Sequence, residues 1–156
     1  MSTTHERLKS ALEGVRDRML AEGTPSPADI NCGRCGEVVS DVFEEVGGVT
    51  EAYELGLMEL GITNLMHIVD DEPEGFDREM LREHWPTTVP PEGMDWDDLD
   101  ALAVFGDFSD GTHEWISFEG RHYDVEAVDG VDSPFDLPFF KRIVAAWQDE
   151  RAAPTP

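Results

Sequence analysis

Lysine is almost missing from this chain: only Lys9 and Lys141 occur among 156 residues, and the other nine basic positions are arginines. Against them stand 35 Asp and Glu residues, for a formal net charge of −24. No Lys/Arg cluster exists to displace counterions from phosphates, which argues against a nucleic-acid partner, and an anionic membrane surface would repel the same chain. Long apolar runs are missing as well. No stretch approaches the roughly 18 residues of a spanning helix, and the opening Met1-Ser2-Thr3-Thr4-His5-Glu6 has no signal-peptide core. Cysteine is scarce, with Cys32 and Cys35 the only two. These absences predict a cytoplasmic protein, where such a pair is not expected to form a structural disulfide.

What remains is a globular composition, 40% hydrophobic with 14 Gly and 10 Pro. Such a chain can bury an ordinary core. Residues 1–151 are expected to form a single α+β domain, with 152–156 as a flexible tail. The acidic residues are spread over the whole length rather than gathered in a tail. In this the chain resembles proteins of extreme halophiles, in which molar salt shortens the Debye length to about 3 Å.

Periodicity sketches the elements. Thr3 and Glu6 read as a capping box, followed at helical spacing by Leu8, Leu12, Val15 and Met19, with Gly23 as the stop. Thr24-Pro25-Ser26-Pro27 reads as an extended linker. A second helix is predicted over about 33–46, with Val38, Val39, Val42, Phe43 and Val46 on its buried face and Gly47-Gly48 ending it. A short helix near 51–60 and a strand near 64–69 are expected next. An amphipathic helix over 74–84, a loop at 87–93, an acidic helix start at 95–100 and a strand at 103–108 follow. The strongest β signal is a hairpin, Glu114–Phe118 and Arg121–Val128 around Glu119-Gly120. Asp136 is expected to cap a last helix, with Phe139, Phe140, Ile143, Val144 and Trp147 facing inward.

The chemistry-bearing residues fall in two segments, Asn31-Cys32-Gly33-Arg34-Cys35-Gly36-Glu37 and Gly111-Thr112-His113-Glu114-Trp115 with the return strand Arg121-His122-Tyr123-Asp124. The first puts a thiol at a helix N-terminus, whose positive end stabilises a thiolate. Cys35 is in register with Val38, Val39, Val42 and Val46, so it faces inward, whereas Cys32 precedes the periodic stretch. In the hairpin, a turn centred between Glu119 and Gly120 sets Trp115 opposite Asp124 and His113 opposite Glu126. His113, Trp115, His122, Asp124 and Glu126 then share one face. Asp124 is thereby within diagonal reach of His113, where a carboxylate fixes an imidazole's tautomer. Glu126 is an alternative orienter. Asn31 and the free amides of the helix start are possible oxyanion donors, and Trp115 and His122 possible pocket residues.

Gly33-Arg34-Cys35, His113-Glu114-Trp115 and the following Tyr123-Asp124 resemble the transglutaminase-like pattern of the papain/transglutaminase-like cysteine enzyme superfamily. The resemblance covers about a quarter of the chain, and its His-to-Asp separation is shorter than the family's. It implies helices carrying the cysteine packed on a small antiparallel sheet, with a C-terminal helix. It further implies a thiol-dependent hydrolase or acyl transferase acting on an amide, isopeptide or ester. Cys35 would be the nucleophile, His113 the base and Asp124 its orienter, with no cofactor and a peptide-like or acyl substrate.

Other readings of the same residues stay open. A papain-like domain can lose activity and persist as a binding or structural module. Cys32-Gly33-Arg34-Cys35 is also a CxxC, the form of a thioredoxin-like oxidoreductase, although that fold needs a strand just before the helix. Zinc could be held by Cys32, Cys35, His113 and His122, but the histidine spacing is wider than usual. Asp95-Trp96-Asp97-Asp98-Leu99-Asp100 is not a calcium loop, since Leu99 takes a ligand position and the glycine is missing. No metal is therefore expected.

Overall fold

A computed structural model describes residues 2–61 and 113–152. The expected elements at 64–69, 74–84, 87–93, 95–100 and 103–108 lie outside the described residues, as do 153–156 of the tail. Within them the chain is mixed α and β: five α-helices and a four-stranded antiparallel sheet.

Helix α1, Thr4–Ala21, starts on the predicted reciprocal cap: Thr3 accepts the Glu6 N–H, and Glu6 Oε2 accepts the Thr3 N–H at 3.1 Å. Its inward stripe is Leu8, Ala11, Leu12, Val15 and Met19. Leu8, Leu12 and Met19 are wholly excluded from solvent, each contributing about 1.5–3 kcal/mol of burial. The next stretch differs from the expectation of a linker. Ser26 and Pro27 do not hold the chain extended; they begin helix α2, Pro27–Gly33, with the Ser26 hydroxyl accepting the Asp29 N–H. Proline suits this first helical position because its missing N–H has no intrahelical partner there. Cys32 thus belongs to α2, and a break at Arg34 lets helix α3, Cys35–Glu45, begin anew.

Helix α4, Val49–Glu54, is shorter than the 51–60 expected. Gly56 enters the left-handed region at φ 85°, and the Leu57 N–H reaches back to the Ala52 carbonyl at 2.9 Å, which closes the helix and buries Leu57. Strand β1, Met58–Gly61, follows where helix was expected.

Strands β2 (Glu114–Phe118), β3 (Arg121–Asp124) and β4 (Ala127–Val131) complete a sheet in the order β1-β2-β3-β4. The β2–β3 register is the predicted one, with Ile116 opposite Tyr123, Ser117 opposite His122 and Phe118 opposite Arg121. The return strand does not run on to Val128, however. Asp124 Oδ1 accepts the Glu126 N–H at 2.9 Å and bends the chain after Asp124, so that Ala127 begins a new strand. Across from the single residue Tyr123, β4 bulges through Val128, Asp129 and Gly130. Gly130 is required there: at φ 82°, a Cβ would lie 2.5 Å from the Tyr123 ring.

The two sheet faces bury different partners. Ile116, Tyr123 and Val125 pack on the α1 and α3 stripes, together with Ile30, Ala52 and Leu57. Trp115 packs on the opposite side with Leu137 and Phe140, backed by Leu60, Phe139 and Ile143. The last helix, α5, is Pro138–Ala152. Asp136 does not cap it: that residue lies in a 3-10 turn, Pro134–Asp136, whose cap is Ser133. Phe140 and Trp147 are its fully buried positions, while Phe139, Ile143 and Val144 are half-buried.

Candidate active site

Cys35 is the first residue of α3, and no side chain caps that helix. The sulfur therefore sits at the positive end of the α3 dipole. α3 packs on β2, which brings the thiol to the start of that strand: the Glu114 N–H donates to Cys35 Sγ at 3.4 Å. His113 is the residue before β2. Asp124, where β3 ends, reaches across, and His113 Nε2 lies 3.1 Å from Asp124 Oδ2. Exposure falls to 7% at Cys35, 0% at His113 and 2% at Asp124.

With Nε2 committed to Asp124, Nδ1 is the ring nitrogen left for the thiol. Nδ1 is buried and makes no hydrogen bond of regular geometry within the described protein, yet the ring and Cys35 each stabilise the other's charged form. Burial pushes the Cys35 thiol up, but the His113 ring and the Glu114 N–H outweigh it and hold the thiol below its ordinary value. Burial likewise pushes His113 down, and the bond to Asp124 together with the nearby Cys35 sulfur more than reverses this, leaving the imidazole raised. Both directions favour a thiolate–imidazolium pair. Aromatic rings hold the imidazole in place, with Phe139 stacked at 4.2 Å and Trp115 at 5.8 Å between ring centres.

Asn31, Trp115, His122 and Glu126 are brought to the same region in other positions than an open pocket. Asn31 is 1% exposed, and its Nδ2 donates to Glu126 Oε1 at 3.0 Å, so that N–H is not directed at Cys35. Trp115 Nε1 donates to His122 Nδ1 at 3.0 Å, and both residues are buried. Burial holds His122 down at about 4, a neutral acceptor for the indole. Glu126 does not face His113 as orienter. Its carboxylate takes a two-pronged ion pair from Arg142, at 2.9 Å on each oxygen. Burial raises the Glu126 carboxyl, but Arg142 and Asn31 pull it below its usual range.

Three contributors carried no readable signal. Glu114 acts through its backbone N–H, which every residue has. Its carboxylate also stands over the first turn of α3, where a Cβ on Gly36 would lie 2.8 Å from Glu114 Oε2, and there it opposes the thiolate. Phe139 shows in the pattern only as one more apolar helix position. Arg142 shows only as an exposed base. Cys32, by contrast, is exposed and unpaired with Cys35, and helix α2 occupies the place where a thioredoxin-like centre has a strand. Among the described residues no group of three His, Cys, Asp or Glu side chains could hold a metal ion. Two surface depressions of about 550 and 340 Å³ lie along α1 and beside the β2–β3 turn, and neither contains a residue of the Cys35–His113–Asp124 set.

No protein-family model matches this chain, and no curated protein or solved structure matches it.

Proposed function

We propose that this protein is a thiol-dependent hydrolase or acyl transferase of papain/transglutaminase-like type, acting on an amide, isopeptide or ester through Cys35, His113 and Asp124. The observation that carries the reading is the buried 3.1 Å contact of His113 Nε2 with Asp124, beside a thiol at the first residue of α3 that accepts the N–H of Glu114, the residue after His113. A core histidine needs no such partner set, and a buried hydrophobic cysteine needs no oriented imidazole.

The chemistry follows from these positions. Cys35 passes its proton to His113, and the thiolate attacks the acyl carbon. The oxyanion that forms is stabilised by the positive end of the α3 dipole, at whose first residue the sulfur sits. His113 returns the proton to the leaving amine or alcohol, the carbon–heteroatom bond breaks, and a thioester remains on Cys35. Water or an amine then attacks the thioester with His113 as base, releasing acid or new amide and restoring the thiol. Asp124 accepts from Nε2–H and keeps it fixed, so that Nδ1 is the nitrogen that gains and loses the proton.

The test is a panel of acyl-directed electrophiles that leave a covalent adduct, read by intact mass and peptide mapping. An adduct on Cys35 that is lost in His113→Gln supports the reading. Folded protein that gives no adduct with any electrophile class replaces it with an inactive papain-like binding or structural module.

A further inference from the structure

Behind Asp124 lies a group of side chains with no part in the reaction just described. Asp124 is aimed by two contacts, Oδ2 on His113 and Oδ1 on the Glu126 N–H at 2.9 Å. The Glu126 backbone therefore sets the carboxylate's direction. Its side chain is in turn held from both sides, by the Arg142 fork from α5 and by Asn31 Nδ2 from α2. The Glu126 side chain is only 13% exposed, although Arg142 is 45% exposed. Burying a carboxylate at a two-residue turn costs solvation that an apolar residue would avoid, and such a pair adds little stability over packed apolar side chains. What it does supply is a fixed position, because a planar fork on a carboxylate defines distance and orientation together.

We infer that Asn31, Glu126 and Arg142 form a strut that locks the turn after Asp124, and so act as positioning residues for the His113–Asp124 pair, an inference that rests on the cysteine-enzyme reading above. The strut ties α2, the β3–β4 turn and α5 at one point. It transmits no proton. Its effect is on the alignment of Asp124, and through it on which nitrogen of His113 serves Cys35.

Charge alone makes a different prediction from alignment, which gives the test its power. Removing the Glu126 charge withdraws support from the imidazolium, whereas removing the Arg142 charge strengthens it, so a purely electrostatic role moves Cys35 reactivity in opposite directions. A strut moves both the same way. The experiment measures the rate of Cys35 alkylation by iodoacetamide against pH in a Cys32→Ser background, for Glu126→Gln, Arg142→Met, Arg142→Lys and Asn31→Ala, with folding checked by circular dichroism. The expected result is about a tenfold slower rate near pH 7 for Glu126→Gln and Arg142→Met, with the labelling midpoint moved up toward that of a free thiol. Asn31→Ala gives a smaller loss of the same sign, and Arg142→Lys recovers part of it. Opposite shifts for the two charge variants, or wild-type rates and midpoints in all of the folded variants, overturn the strut. If wild-type Cys35 is itself no more reactive than N-acetylcysteine, the cysteine-enzyme reading fails instead. If Arg142→Met does not fold, Asn31→Ala and Glu126→Gln still decide the outcome.

Discussion

His113 Nε2 and Asp124 Oδ2 meet at 3.1 Å across the β2–β3 hairpin, inside a layer where neither side chain reaches solvent. The same carboxylate holds the Glu126 N–H, so one side chain both orients the imidazole and shapes the turn. Replacing Asp124 by Ala leaves a buried donor on His113 and a part-buried one at Glu126 without an acceptor, at about 1–3 kcal/mol for the buried group and less for the other. Asp124→Ala is expected to lower unfolding stability in urea by about 2–4 kcal/mol. Asp124→Asn, which keeps an oxygen for the turn, is expected to retain most of that stability. Its activity should still fall, because an amide cannot balance the imidazolium, yet by less than in Cys35→Ala. Equal stability loss in both variants would contradict the dual role.

His122 makes a second, separable claim. Its ring titrates near 6.5 in the unfolded chain and at about 4 in the folded one, because burial disfavours its charged form. Between these values the unfolded state carries the extra proton. Stability contributed by this residue is therefore complete above about pH 6.5 and lost as pH falls toward 4, with a span of about 3 kcal/mol. His113 runs the other way, since a raised folded value contributes stability below 6.5 that is lost as pH rises through it. His122→Gln keeps an acceptor for Trp115 Nε1 and removes the titration. The stability difference between wild type and His122→Gln, followed by denaturant unfolding, should change by about one proton's slope between pH 6.5 and 4. A difference flat over that interval would contradict a buried neutral His122.

The net charge of −24 sets a third expectation. Self-repulsion among carboxylates opposes the compact state, and salt screens it. The melting temperature is expected to rise between low and molar potassium chloride. An unchanged melting temperature would remove the halophile-type reading and leave the active-site proposal untouched.

The parts legible in the sequence are those fixed by neighbours along the chain. Glu119 and Gly120 both adopt positive φ, at 50° and 78°, the tight-turn geometry that sets the register of β2 and β3. That register follows from the turn alone, and it sufficed to put His113 near Asp124. The capping box of α1 and the buried stripe of α3 were readable for the same reason. Ser26-Pro27 was legible too, but as a break when it is a cap, because the pair signals both and only the packing of Ile30 decides. The turn at Val125-Glu126 was hidden, since Val125 is buried like a strand residue while an Asp124 side chain replaces the ladder. The link of Asn31 to Glu126 joins residues 95 apart, and nothing local to either predicts it.

The central claim is that His113 activates Cys35. The direct measurement is the pH dependence of iodoacetamide labelling at Cys35 and at Cys32, resolved by peptide mass, in wild type and in His113→Gln. The account predicts that Cys35 labels below the ordinary thiol range near 8.5 and reacts faster than Cys32 near neutral pH. It also predicts that His113→Gln slows Cys35 about tenfold or more near pH 7 while leaving its fold intact. Reaction confined to Cys32, or Cys35 labelling that is indifferent to His113, would contradict it.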